Sequence, residues 1–88
     1  MPNVDSALLQ EAQVKPQDTF RVIVRVQGDL DARQGQLEAV GFSIIRHLRL
    51  VHGYSATASG AAIHSVKDEE WILSVERDAE VKTMGKST

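Results

Sequence analysis

Apolar and polar residues alternate most clearly between Phe20 and Gln27. The segment is rich in β-branched residues, and alternation of this kind is typical of a half-buried strand. One face of the predicted strand carries Phe20, Val22, Val24 and Val26. The other face carries Arg21, Ile23, Arg25 and Gln27. The pattern therefore predicts a strand with one face in the core and one amphipathic face.

The segments that follow alternate between helical and extended patterns, and capping and turn residues separate them. In chain order they are a helix capped by Asp29 or Asp31 and ended by Gly41, a long strand Phe42–Val51, a turn at His52 and Gly53, a strand Tyr54–Ala58, a short helix Gly60–Val66 capped by Ser59, and a strand Trp71–Glu76. In the last strand, Ile72 and Val75 lie three residues apart. This break in the alternation predicts either a β-bulge or a strand boundary that differs from the one given.

The order β-α-β-β-α-β predicts the α+β ferredoxin-like fold, a four-stranded antiparallel sheet with two helices on one face. No predicted helix covers the other face. From the strand patterns, this face is expected to carry Ile23, Arg25, Ile45, His47, Ser55 and Thr57. An antiparallel sheet can meet water on one side, so the face is either simply solvated or a docking surface.

The chain divides into an extension, a domain and a tail. The domain, residues 19–78, contains all the predicted strands. Residues 1–18 are expected to be a flexible extension, because a helix within Ser6–Ala12 would be short and Pro16 ends it. Residues 79–88 follow the last strand as a tail that we expect to be extended, with Glu76 and Asp78 at its root.

The composition argues against several classes of function. The 88 residues include no cysteine, so disulfides and thiolate metal sites are not available, and the three histidines lack the spacing of a metal site. We expect neither a metal nor a cofactor. The formal charge is −2 with both signs interleaved, which argues against a nucleic-acid partner. We expect no membrane partner, since no apolar run is long enough to span a bilayer.

Neither of two activities found on this topology matches the residues. RNA-binding modules need aromatic residues on their central strands, and the one aromatic of the third strand, Tyr54, is predicted to point inward. An acylphosphatase is the enzyme alternative, because Val26–Gly28 and Arg33 resemble part of that family's anion loop. That family's catalytic Asn lies on the strand after the hairpin, and the only Asn here is Asn3. We therefore expect that the protein is not an enzyme.

Three segments carry a resemblance to a known family. They are Val51–Ser59, Ala61–Ile63 and Trp71–Asp78, taken together with the spacing between them. Over residues 20–84 the chain resembles the inhibitor I9 family, which comprises propeptides of subtilisin-like serine proteases and small stand-alone inhibitors related to them. One departure from the family is Ala58, where a larger apolar residue is usual.

The resemblance implies an inhibitor whose open sheet face docks on two adjacent surface helices of the protease. Glu76 and Asp78 match carboxylates that cap those helices, where unpaired N–H groups favour anions. The tail would then lie in the substrate groove as an added strand, with Val81 and Met84 in apolar pockets. The implied protease-binding residues of the tail are Glu76, Asp78, Glu80, Val81, Lys82, Thr83 and Met84.

The resemblance is compatible with two kinds of protein. The chain is either an independent inhibitor, cytoplasmic and monomeric when free, or a propeptide excised from a secreted precursor, extracellular and acting as an intramolecular chaperone. The start at Met1, the lack of a secretory signal and the stop soon after Met84 favour the independent inhibitor. The alternative from another class is a ferredoxin-like protein-interaction module with no protease partner.

Overall fold

The sheet is built around the alternating strand at residues 19–26, whose apolar face lies in the core. The computed structural model describes residues 3–78. In chain order the elements are β1 (Asn3–Val4), α1 (Ser6–Val14), β2 (Thr19–Val26), α2 (Leu30–Ala39), β3 (Phe42–Leu48), a 3-10 helix (Arg49–Val51), β4 (Gly53–Ser59), α3 (Gly60–Ser65) and β5 (Ile72–Arg77).

The strands lie in the order β1-β5-β2-β4-β3. The four longer strands pair antiparallel, and β1 adds two residues in parallel to β5. Both crossovers of the split β-α-β arrangement run through a helix, α2 between β2 and β3 and α3 between β4 and β5. The predicted α+β ferredoxin-like fold is therefore confirmed, with one helix and one short parallel strand more than predicted among the described residues.

One apolar core joins the inner face of the sheet to all three helices. Its largest fully buried side chains are Tyr54, Leu8, Leu37, Ile63, Ile72, Val22, Val24, Val26, Val66 and Val75. Tyr54 points inward, as predicted, and its hydroxyl donates a hydrogen bond to the backbone carbonyl of Leu30. This bond fastens β4 to the first turn of α2.

The capping residues act as their positions in the sequence predict. Of the two candidates for the first cap, Asp29 fills the position, and its carboxylate accepts a hydrogen bond from Ala32 N at 2.9 Å. Gly41 follows that helix with φ +112°, a backbone conformation that favours glycine. Ser59 caps the short helix by accepting from Ala62 N at 3.1 Å.

The described part of residues 1–18 does not extend away from the domain, so the expectation of a flexible extension is wrong there. Asp5 caps α1 by accepting from Leu8 N at 3.0 Å, and Leu8 and Ala12 are fully buried in the core. Asp5 N also donates to the Val75 carbonyl at 2.9 Å. Tertiary burial supplies the stability that a helix of this length lacks on its own.

The second predicted strand is shorter than expected. It ends at Leu48, because the chain turns into the 3-10 helix and then passes through His52, whose φ is 54°. The predicted turn at His52 and Gly53 is therefore preceded by a further turn of chain.

The irregularity predicted for the last strand is present. In the pairing of β5 with β2, Val26 faces Ile72 while Arg25 faces Ser74. Leu73 is therefore the inserted residue of a bulge. The bulge brings Ser74 and Val75 into successive buried positions and restores the alternation that leads to Glu76.

Candidate docking face

The strand register defines which side chains lie on the sheet face that no described helix covers, here called the open face. Residues that pair across neighbouring strands share a face. The pairs that include Arg21, Ile23 and Arg25 therefore mark three rows across the sheet. The rows are Ser43, Thr57, Arg21; then Arg46, Ser55, Ile23, Glu76; then Leu48, Gly53, Arg25, Ser74.

Four of the six residues predicted for this face lie on it. Ile23 and Arg25 are contributed by β2, and Ser55 and Thr57 by β4. Ser55 is only 4% exposed, because it lies in the middle of the sheet between Ile23 and Arg46. It therefore forms part of the floor of the face and has little surface to offer a partner.

His47 was assigned to the wrong face. It pairs with Tyr54 on the inner side of the sheet, with the two rings edge to face at a centroid distance of 5.3 Å. Its Nε2 lies 2.5 Å from Oε1 of Gln34 in α2. The cause is a bulge in β3, which reverses the alternation of the residues that follow it.

The bulge in β3 also explains the position of Ile45 and the presence on the open face of Arg46 and Leu48, which the sequence analysis did not place there. Ile44 pairs with Ala56 and Arg46 pairs with Ser55, so Ile45 is the inserted residue and has no partner in the register. It is 45% exposed. Arg46 and Leu48 take the positions on the open face. The adjacent Ile44 and Ile45, in a strand that otherwise alternates, are the sequence signal of this bulge.

The open face is recessed along β4. β4 contributes only small side chains there, those of Gly53, Ser55 and Thr57, while the strands on either side contribute longer ones. A groove of about 140 Å³ results, lined by Ile23, Arg46, Leu48, Ser55 and Asp78. A groove that combines apolar side chains with charged ones is suited to a convex partner such as a helix.

The two carboxylates at the root of the tail lie on this same face. Glu76 pairs with Ile23 and is exposed. Asp78 N donates to the Arg21 carbonyl at 2.9 Å, and the Asp78 carboxylate accepts from Arg21 Nε at 3.1 Å. The Asp78 side chain is only 9% exposed. The two carboxylates are therefore not equivalent, since Glu76 is accessible and Asp78 is held within the domain.

The intervening Arg77 points to the helix face and forms an ion pair with Glu11 of α1. Its guanidinium also lies 5.8 Å from the ring centroid of Phe20. The remaining residues assigned to the protease-binding tail, Glu80, Val81, Lys82, Thr83 and Met84, lie outside the described residues.

Arg33, which belongs to the partial resemblance to the acylphosphatase anion loop, makes contacts within the domain. Arg33 Nε donates to the Gln27 carbonyl at 2.9 Å, and its guanidinium lies 4.8 Å from the ring centroid of Trp71. Its Nη1 donates to Gln36 at 2.8 Å. Arg33 therefore fastens α2 to the connection before β5. Within residues 3–78 no three His, Asp or Glu side chains are grouped so as to hold a metal ion.

The hydroxyl of Tyr54 has a raised pKa. Burial raises the pKa of its hydroxyl above the ordinary value of 10.0, and the carboxylates of Asp29 and Asp31 act in the same direction. The hydroxyl therefore remains a neutral donor to the Leu30 carbonyl. This role is structural and lies on the inner face of the sheet.

The comparisons with known proteins identify no relative: no protein-family model, curated protein or solved structure matches the chain. None of the helices within residues 3–78 has the length and hydropathy needed to cross a membrane.

Proposed function

We propose that the protein inhibits subtilisin-like serine proteases by docking its open face on the enzyme and placing its C-terminal tail in the substrate groove. The observation that carries the proposal is the position of Glu76, which lies on the open face two residues before the described chain ends. The face and the root of the tail therefore adjoin, and one rigid body can present both to a partner.

The energetic argument depends on that adjacency. A free peptide of the tail's length would lose much of its binding energy to ordering, at about 1–2 kcal/mol of backbone entropy for each residue fixed. A docked domain fixes one end of the peptide and removes part of that cost. The tail then gains the backbone hydrogen bonds of an added strand.

The difference in exposure between the two carboxylates supports different roles for them. Glu76 is exposed and free to approach a helix N-terminus, an interaction that contributes about 0.3–1 kcal/mol at an exposed site. Asp78 is already engaged by Arg21. We therefore assign contact with the partner to Glu76, while Asp78 fixes the direction in which the chain leaves the sheet.

The second candidate is a propeptide of a subtilisin-like protease, which would bind by the same mechanism. A protein-interaction module with no protease partner would use the open face alone and would leave the tail without a role. Removal of the tail therefore distinguishes such a module from an inhibitor or a propeptide.

The first experiment titrates the full chain into a subtilisin-like protease and measures residual activity, with a chain truncated after Asp78 alongside it. Full-length protein should inhibit at micromolar concentration or below, and truncation should weaken inhibition strongly. No inhibition by the full chain overturns the proposal. Inhibition unchanged by truncation overturns the role of the tail and leaves only the open face.

A second experiment tests the carboxylate with a matched control. Glu76→Arg should weaken inhibition, whereas Glu70→Arg should not, because Glu70 is also exposed but precedes β5 at the opposite end of that strand. Circular dichroism should show both variants folded. In the tail, Met84→Asp should weaken inhibition more than Lys82→Ala.

A further inference from the structure

Charge is unevenly distributed in this chain. From Phe42 to Val66 there is no Asp or Glu, although the whole protein has 12 acidic and 10 basic residues and a formal charge of −2. The same stretch carries two arginines and three histidines: Arg46, Arg49, His47, His52 and His64. The β3–β4 hairpin, which has Arg46 and Arg49 and no acidic residue, is therefore cationic within an acidic protein.

The connection of this hairpin projects apolar side chains among the arginines. Leu50 is fully exposed, and Val51 is 40% exposed. Arg25 of β2 is close by, because its Nε donates to the Val51 carbonyl at 3.1 Å. We call this group the hairpin patch. It consists of Arg25, Arg46, Leu48, Arg49, Leu50 and Val51.

The hairpin patch is held in place by the fold. Besides the bond from Arg25 to Val51, Nε2 of His52 lies 2.5 Å from the Gly28 carbonyl. Val26 N donates to the His52 carbonyl at 3.1 Å. The connection is thus tied to the end of β2 at three points. Its side chains are presented without the ordering cost that a mobile loop would incur on binding.

Arg25 and Leu48 of the hairpin patch lie in the row of the open face farthest from Asp78. Arg25 is near the end of β2, and β5 runs antiparallel to β2, so the chain leaves the sheet beside Arg21. At about 3.3 Å per strand residue, the rows of Arg21 and Arg25 are separated by roughly 13 Å. One end of the face therefore carries Arg25 beside Leu48, and the other carries the Arg21–Asp78 pair. Arg46 and Glu76 lie in the row between these ends, on the two outer strands of the face.

We infer that the partner protein that docks on the open face has an acidic surface where it contacts the hairpin patch. Arginine presents planar donors that match carboxylates, and it is enriched with apolar residues in protein interfaces. The patch contains no aromatic side chain on which a nucleobase would stack, and it continues directly into the open face through Leu48 and Arg46. These features favour a protein carrying Asp and Glu beside an apolar contact.

The inference rests on the proposed function for the identity of the partner as a protease. It adds a selection rule, which is that proteases with carboxylates at this position are preferred over those with a basic surface there. Such charge complementarity acts mainly on the association rate and on discrimination between partners.

The test compares two subtilisin-like proteases, one with a strongly acidic surface and one with a strongly basic surface. Arg46→Glu with Arg49→Glu should weaken inhibition of the acidic protease about tenfold or more, mostly through slower association. The control pair, Lys15→Glu with Lys67→Glu, makes the same change in net charge away from the patch. It should alter inhibition by less than about threefold.

Salt gives a second readout of the same interaction. For the unchanged protein, association with the acidic protease should slow as NaCl rises from about 20 to about 500 mM, and the Arg46→Glu, Arg49→Glu variant should lose this dependence. Equal effects of the two charge-reversal pairs, or an equal salt dependence with both proteases, would overturn the inference.

A binding experiment without a protease separates failure of this inference from failure of the proposed function. The probe is a Glu-rich amphipathic helical peptide, and the readout is the set of backbone amide shifts in the 15N-labelled full chain. Shifts centred on residues 46–52, abolished by the double arginine variant, support the inference even if no protease is inhibited. Absence of shifts there overturns it, as does stronger binding of the patch to anionic lipid vesicles than to the peptide.

Discussion

Arg21 holds Asp78 in place on the open face, with Arg21 Nε donating to the Asp78 carboxylate at 3.1 Å and Asp78 N donating to the Arg21 carbonyl at 2.9 Å. The pair lies on the last described residue of the chain. It therefore fixes residue 78 against β2, and in the proposed function this sets the direction of the tail. Because the Arg21 side chain is 48% exposed, the ion pair should contribute no more than about 1 kcal/mol to stability.

This relationship predicts how the effects of Arg21→Gln and Asp78→Asn on inhibition combine in the double variant. If the pair positions the exit of the chain, each change weakens inhibition by a similar factor, and the double variant is no weaker than either single one. The inhibition constants of the four proteins check this. A loss from Asp78→Asn with no loss from Arg21→Gln would instead show that the carboxylate itself contacts the protease.

The position of Met84 predicts cleavage of the tail by the target. In the proposed complex this residue would occupy the primary specificity pocket of the protease, and Gly85–Thr88 follow it in the sequence. We expect the protease to cut after Met84 and to keep the product bound. Mass spectrometry of the inhibited mixture should show loss of the last four residues, whereas an intact chain at full inhibition would contradict the product-like mechanism.

Burial of Leu8 predicts that residues 1–18 are required for stability. Leu8→Ala removes a fully buried side chain and should reduce the free energy of unfolding by about 2–5 kcal/mol. Val14→Ala, at a position that is 71% exposed in the same helix, should change it by less than about 0.5 kcal/mol. Urea unfolding measures both, and equal effects would mean that α1 is not docked in solution.

The parts of the fold that were predicted correctly depend on local signals. The alternation of β2 and the caps at Asp29 and Ser59 are set by neighbouring residues, and the structure confirms each of them. Tyr54 was placed inward for the same reason, because its strand alternates regularly.

The parts that were missed depend on contacts between distant segments. Leu8 is buried because its helix packs on α3 and the chain before it pairs with β5, and neither contact is visible in the residues around it. His47 was placed on the wrong face because one inserted residue, Ile45, changes the phase of all that follow. For the candidate site, the position of Glu76 followed from the sequence, whereas the contribution of Arg46 did not.

Two helical glycines are predicted to respond oppositely to alanine. A Cβ at Gly35 in α2 would have no neighbour within 4 Å, so Gly35→Ala should stabilise the protein by about 0.5–1 kcal/mol. A Cβ at Gly60 would lie 2.5 Å from the Ala12 carbonyl oxygen and 2.7 Å from that of Lys15. Gly60→Ala should therefore destabilise the protein by about 1–3 kcal/mol, since the end of α1 must move.

Thermal unfolding of the two alanine variants checks this prediction. The melting temperature should rise for Gly35→Ala and fall for Gly60→Ala. A fall for both would show that Gly35 is needed for a contact, and no fall for Gly60→Ala would show that α1 does not lie against the start of α3.

Tyr54 predicts a loss of stability at alkaline pH. Its pKa in the folded protein is raised above the ordinary value of 10.0, mainly by burial. A group whose folded pKa is raised contributes stability that is fully present below the unfolded pKa and is lost as the pH rises through the folded value. The contribution of the Tyr54 hydroxyl should therefore persist to about pH 10 and decline above it.

The control for this effect is Tyr54→Phe, which removes the hydroxyl and its hydrogen bond to the Leu30 carbonyl. At about pH 8 it should cost about 0.5–1.5 kcal/mol. Above about pH 10 the difference between the two proteins should shrink, because only the unchanged protein must then bury or expel a phenolate. Urea unfolding at both pH values measures the difference, and a difference that is independent of pH would mean that the hydroxyl ionises equally well in the folded and unfolded states.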